Sequence, residues 1–482
     1  MKKSKLLPQA CALMLTWLMA AGVAGAATQA SAKTERSCHL PGVSEALRCV
    51  TLNVPLDYAT PAQASLKLHV TVAPAFRQGT RSDPLFVLAG GPGQAGSDVL
   101  MVLPGALDRV RATRDIVFID QRGTGLSGKL ECESKPEHEH MSEDQLEVEL
   151  RACIKASQAR FAAYTTAAAA RDLEQVRTAL GYGKVNLWGG SYGTRLAQAY
   201  ARAYPASVRS LVLDGVAAPE QVIPAGGRDG QAALDGLFAQ CAKDAACHKA
   251  FPSLQADFES LVKKLEAGGI KLSLPDPRTA QQRDFTLTSE RFLGTVHNIL
   301  YSPADARRLP FLIHSASRGR WQPFIARQNL AGDFGSDAGV ATLLYLAVTC
   351  AEDVPRLTPA LLEADAAVLT RPLAEKIPAL CKVMNVPAVP YAAPSRIEAP
   401  ALLLSGALDP VTPPHRAATA ARHMAHAQQV VVSNAGHGVS QLGCAPRLIR
   451  EFLDRPQARL DAACLAEIPA PTFQLGNAGP QP

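Results

Sequence analysis

Beyond residue 32 the sequence holds no uncharged apolar run of roughly 20 residues, the length a membrane-crossing helix needs. It holds no block of basic residues either, and a net charge of +6 is too mild for a protein that grips nucleic-acid phosphates. Close Cys-x-x-Cys pairs are absent, which removes the commonest zinc spacing. Gly123-Thr124-Gly125 lacks the later spaced glycine and the helix-opening context of a dinucleotide fingerprint. No internal repeat or long low-complexity segment interrupts the chain. No cofactor, no metal and no nucleic-acid partner are therefore expected. What remains is an ordinary globular composition, 47% hydrophobic and 19% charged over 482 residues. That is enough for one large domain with an insertion, or for two domains.

Met1 to Ala32 reads as a removable leader. Lys2, Lys3 and Lys5 precede an apolar stretch around Leu13 to Val23, and Ala24-Gly25-Ala26 and Ala30-Ser31-Ala32 both offer the small-x-small pattern of a signal peptidase. Cleavage after Ala32 lowers the charge to +3, leaves 450 residues and predicts an exported protein, periplasmic or secreted, with no membrane insertion afterwards. Cysteine usage agrees: Cys11 leaves with the leader, and ten cysteines remain, an even number that reads as disulfides. Connectivity stays open at this level. Pairing each cysteine with its neighbour would close five local loops, 38–49, 132–153, 241–247, 350–381 and 444–464.

Short, wholly apolar runs alternate with helical patterns over the first half of the chain. Strands are expected at Cys49 to Val54, Leu66 to Val72, Leu85 to Leu88, Asp115 to Ile119, Val185 to Trp188 and Val208 to Leu213. Helices are expected at Thr165 to Leu180 and Thr194 to Tyr204. The pattern resumes with strands Ala401 to Ser405 and Gln429 to Val432 and a helix at Pro446 to Leu453. Alternation of this kind predicts an α/β protein with a mostly parallel sheet covered by helices on both faces. Between the two halves, amphipathic stretches such as Gly230 to Ala242 and Leu254 to Ala267 dominate, with few convincing strands. The expected organisation is a leader (1–32), a first part of the core (33–217), a helical cap (218–399), and a second part of the core with a C-terminal tail (400–482).

Gly189-Gly190-Ser191-Tyr192-Gly193 is the one G-x-S-x-G in the chain, and it falls between an expected strand and an expected helix. That setting is what a nucleophile elbow requires; a plain glycine turn with an incidental serine is the alternative. A serine hydroxyl is a weak nucleophile without a base. His437, in Asn434-Ala435-Gly436-His437-Gly438, and Asp409, in Gly406-Ala407-Leu408-Asp409-Pro410, each follow an expected strand. The order Ser191, Asp409, His437 is the hydrolase order. It assigns attack to Ser191, proton transfer to His437 and orientation of the imidazole to Asp409. The backbone N–H groups of Tyr192 and Gly91 are the expected oxyanion donors.

Gly90-Gly91-Pro92-Gly93, Asp120-Gln121-Arg122-Gly123-Thr124-Gly125-Leu126-Ser127 and the serine motif together resemble the proline iminopeptidase and tripeptidyl aminopeptidase group of α/β-hydrolases. The Asp409 and His437 segments extend that resemblance, and the C-terminal part is similar to the segment typical of the tripeptidyl type. Ala89 departs from the group, many of whose iminopeptidases carry histidine there, which puts strict prolyl specificity in doubt. The resemblance implies an α/β-hydrolase core with an inserted cap, and cleavage of peptide substrates next to a free N-terminus. An ammonium group calls for a partly desolvated carboxylate, and Glu352, with Asp353 beside it, is the expected partner; a bridge from Cys350 to Cys381, if that pairing forms, would support it. A solvated acidic turn is the plain alternative. A carboxylesterase on the same scaffold is the competing function. Arg122 reads as a structural residue of its loop. His138-Glu139-His140 reads as a solvated loop, and His423 with His426 lacks a third metal ligand. Oligomeric state stays open.

Overall fold

In chain order the strands are β1 (Lys33–Cys38), β2 (Leu47–Pro55), β3 (Ser65–Ala73), β4 (Leu85–Leu88), β5 (Ile116–Ile119), β6 (Val185–Gly190), β7 (Val208–Asp214), β8 (Ile270–Pro275), β9 (Gln282–Leu287), β10 (Ala401–Gly406) and β11 (Ala427–Val432). The structure is a computed structural model that describes residues 33–479, apart from 78–80, 101, 134, 136–137, 139–140, 276–278, 335–338, 366–367 and 370. The leader expected at 1–32 lies outside the described residues, as do Glu139 and His140. The described residues belong to the unit Ser31–Pro482.

Nine strands form one sheet in the order β1-β2-β3-β5-β4-β6-β7-β10-β11. The first three pairings are antiparallel, and every pairing from β5 through to β11 is parallel. Central strands are apolar on both faces because both faces are covered. Phe86 and Leu88 of β4 pack into a cluster with Leu173 of the helix Thr166–Ala179 and Leu196 of the helix Tyr192–Ala203. Their neighbours Leu85 and Val87 face the opposite cluster, with Leu448 and Phe452 of the helix Ala445–Asp454. At the sheet edge, β1 is charged and mostly exposed (KTERSC). It was not expected from sequence, because charge on an edge strand hides its apolar signal while protecting the edge from pairing with another chain.

The segment between β7 and β10 contributes helices such as Gly227–Lys243, Leu254–Glu266, Ser289–Leu300 and Thr342–Glu352, which line up with the expected helical stretch. Two features differ from expectation. β8 and β9 form an antiparallel hairpin, whose signal is the alternation of Ile270, Leu272 and Leu274 with Lys271 and Ser273. The helix Thr342–Glu352 also places Leu344 and Val348 in the same cluster as the sheet residues Phe86 and Leu213, so this part of the insert packs directly on the core. Other helices of the insert share an apolar cluster around Phe238, Phe258, Phe292 and Phe324, while Leu380 and Met384 cluster with Ile154 and Phe161. All ten cysteines pair with their neighbours in sequence: 38–49, 132–153, 241–247, 350–381 and 444–464. No helix among the described residues is long and apolar enough to cross a membrane.

Candidate active site

β6 ends at Gly190 and the next helix starts at Tyr192, so Ser191 alone makes the turn. Its backbone sits at φ 53° and ψ −124°, a conformation that non-glycine residues avoid and that persists only where the surroundings enforce it. They do so here by close approach. A Cβ on Gly193 would fall onto the main-chain oxygen of Leu88, and one on Gly189 onto that of Gly193, so only glycine lets strand and helix meet. The turn is also pinned by hydrogen bonds. Ser191 N–H donates to Asp214 O at 2.9 Å, and Thr194 Oγ1 donates to Ser191 O at 2.6 Å.

Two strands farther along the sheet, the loops after β10 and β11 meet. His437 Nδ1 lies 2.8 Å from Asp409 Oδ2. A carboxylate only accepts, so Nδ1 carries the proton and Nε2 is left bare, as a general base requires. Asp409, 2% exposed, is itself held from three further sides: Val411 N–H and Thr412 N–H donate to Oδ1 and Thr412 Oγ1 to Oδ2, at 2.7–2.8 Å. Burial pushes the Asp409 carboxyl up, but the imidazole and these donors outweigh it and hold the group below its ordinary range. Burial opposes charge on His437 too, yet Asp409, with a lesser contribution from Asp214, raises its pKa.

Ser191 and His437 face one cavity of about 700 Å³. Among the described residues no hydrogen bond joins the hydroxyl to the imidazole; such contacts often tighten only when substrate binds. Gly91 lines the same cavity, and Gly90 approaches so closely that a Cβ there would sit 3.1 Å from the Ser191 Cβ. Tyr192 opens its helix, and a first-turn N–H has no partner inside the helix. The two expected oxyanion donors therefore belong to segments flanking Ser191.

Asp214, Tyr301 and His297 carried no notice in the sequence reading. Asp214 ends β7, lines the cavity and accepts Val439 N–H and Ser440 N–H at 2.7–3.0 Å, so it braces the loop that carries His437. A carboxylate at a strand's carboxyl end was its available signal, the same one that marked Asp409. Tyr301 and His297 come from the insert. Tyr301 O accepts His437 N–H at 2.9 Å, its ring meets the imidazole edge-on at 5.1 Å, and His297 stacks edge-on against Tyr301 at 5.5 Å. Burial and the nearby His437 push the His297 pKa down to about 4, so it is neutral at pH 7.

Glu352 and Asp353, expected to meet a substrate ammonium, do not line this cavity. Glu352 accepts Thr166 N–H and Thr166 Oγ1, both at 2.6 Å, and so caps the helix beneath Tyr192, whose hydroxyl is 2.7 Å from Thr166 Oγ1. Asp353, fully buried, pairs with Arg195 and Arg356 at 2.9–3.2 Å. Both carboxylates are thus engaged within the protein, and burial pushes the Glu352 carboxyl up against the pull of its Thr166 donors. The Cys350–Cys381 bridge lies next to this network in sequence. Arg122 is structural: it forms a two-pronged pair with Asp172 at 2.7 Å and donates to the carbonyls of Pro55, Leu56 and Ala163. His423 contacts Glu220.

Comparison with known proteins adds an independent line. The sequence profile described as the alpha/beta hydrolase fold matches residues 83–440. The chain is 31% identical over 283 residues to serine protease Hip1 of Mycobacterium tuberculosis, covering 53% of each protein. It is 28% identical over 258 residues to tripeptidyl aminopeptidase of Streptomyces lividans, covering 47% of each. To carboxylesterase B of Mycobacterium tuberculosis it is 29% identical over 299 residues, covering 56% of this chain and 55% of the relative. The chain thus spans about half the length of the curated relatives it matches.

Proposed function

The chain belongs to the alpha/beta hydrolase fold family, and from that premise we propose that it is an exported serine hydrolase, a peptidase that cleaves near the amino end of peptides. The observation that carries this reading is the strained Ser191 sharing one cavity with an imidazole whose Nδ1 is bound to a buried carboxylate. In the proposed reaction Ser191 Oγ attacks the substrate carbonyl while His437 Nε2 takes its proton. The oxyanion that forms is held by the N–H groups of Tyr192 and Gly91. Collapse breaks the amide bond, and His437 returns the proton to the leaving amine. A water, deprotonated in the same way, then releases the acyl group from Ser191. Asp409 keeps the imidazole oriented and stabilises its cation throughout. The insert between β7 and β10 serves as the cap, since Tyr301 and His297 reach over the imidazole from it.

A fluorophosphonate probe should label the protein and fail to label Ser191→Ala, which should stay folded and lose turnover of tripeptidyl and aminoacyl anilides. Labelling that survives in Ser191→Ala would overturn the assignment. One observation favours carboxylesterase activity as a second reading. Among the described residues lining the cavity the only carboxylate is Asp214, and its oxygens already accept two main-chain N–H groups. Faster turnover of nitrophenyl esters than of free-amine anilides, matched in acyl group, would support the esterase.

A further inference from the structure

Gln221 lines the cavity beside the proposed catalytic residues, and its side chain is half used. Nε2 donates to Val411 O at 3.2 Å. Because a carbonyl can only accept, this contact sets which way the amide faces and leaves Oε1, itself buried, without a partner among the described residues. Gln221 as a whole is only 4% exposed. Buried acceptors are rarely left unpaired, and each exception calls for an explanation. Of the buried side-chain atoms that lack a partner among the described residues, Gln221 Oε1 is the one belonging to a residue that lines this cavity.

The protein also spends several buried charges on holding this residue. Arg195 Nη2 and Arg356 Nη2 both donate to Gln221 O, at 2.6 and 2.9 Å, and both arginines pair with the buried Asp353. Asp353 Oδ1 lies 3.4 Å from Ile223 N, in the same cavity wall. On the other side, the Val411 contact ties Gln221 to the loop of Asp409. The main chain of Gln221 is thus held by two guanidinium groups and its amide by Val411, which places the residue between the cavity wall and the proposed acid loop.

We propose that Gln221 is a specificity-determining residue of the acyl-side subsite, its Oε1 accepting a hydrogen bond from an N–H of the bound peptide. The proposal rests on the serine-hydrolase reading and names the feature that separates peptides from simple esters: an N–H donor on the acyl side. The test uses the full chain with three substrates: a tripeptidyl anilide, its N-acetylated form and 4-nitrophenyl butyrate, whose acyl group has no N–H. Gln221→Met keeps length and volume and removes the acceptor. Its kcat/KM should fall about tenfold more on both anilides than on the butyrate ester. Gln221→Glu keeps an acceptor and should retain anilide turnover, shifting preference toward the free-amine anilide over the N-acetylated one. Parallel loss on all three substrates in both variants, or no change in Gln221→Met, would overturn the proposal. Absence of fluorophosphonate labelling and ester turnover in the wild type would instead overturn the underlying reading.

Discussion

Removal of Asp353 separates a structural network from a substrate anchor. The carboxylate is fully buried, and its two oxygens meet Arg195 and Arg356. In Asp353→Ala both guanidinium groups remain, and Arg195, itself buried, is left with an uncompensated charge; breaking such a pair from one side costs roughly 3–5 kcal/mol. For a folded unit of about 450 residues, unfolding entropy of roughly 2.1 cal/mol/K per residue turns a loss of about 4 kcal/mol into a Tm drop of about 4 °C. Calorimetry would read that shift, and kinetics on free-amine and N-acetylated anilides would read the site. Loss of the clamp on Gln221 O should weaken both anilides alike, because neither arginine touches the substrate amine. The double variant Asp353→Ala/Arg195→Met should recover part of the stability, since it removes a stranded charge along with its partner. A Tm within about 1 °C of wild type, with kinetic loss confined to the free-amine substrate, would refute the structural reading and restore Asp353 as an anchor.

Two further perturbations have defined outcomes. His437 must be neutral to act as a base, so kcat/KM should fall as pH drops through its pKa, which Asp409 and Asp214 hold above the ordinary histidine value. Asp409 faces that imidazole from the β10 loop, Asp214 from β7, and the neutral His297 from the insert. Asp214→Asn removes one supporting charge, so the acid limb of the pH profile should move to lower pH; a limb that stays or moves up contradicts the electrostatic role. Replacing both Cys350 and Cys381 by serine opens a bridge between residues 31 apart, and loop entropy puts its contribution at about 3.7 kcal/mol. Urea unfolding should show the loss, and an unchanged midpoint would mean that the reduced segment keeps its structure in the unfolded chain.

The strands that carry the site were legible because they are buried on both faces. Runs such as Leu85 to Leu88 and Ala401 to Ser405 carry no polar interruption, and their ends are marked by glycine and aspartate. Ser191 and Asp409 follow such strands, β6 and β10, whereas His437 follows the edge strand β11, which carries Gln428 and Gln429 and is partly exposed; parallel pairing brings the three strand ends to one edge. Glu352 and Asp353 show where this logic stops. Their partners Thr166 and Arg195 lie more than 150 positions away, and no local pattern reveals which groups will face them. Gln221, Tyr301 and His297 were silent for a related cause. They belong to the insert, where the position of a side chain depends on how helices lie against the sheet and against each other.

The bridging pattern bears on how this chain matures. Every cysteine in the described structure bonds to the next one along, and no bond encloses another. A chain that oxidises as it emerges N-terminus first would have each thiol's rightful mate arrive next, before any rival. Correct pairing then needs little isomerase proofreading. None of these bonds spans the interval from Ser191 to His437, so a fully oxidised chain can still lack an assembled centre; assembly waits on β10 and β11 docking beside β7.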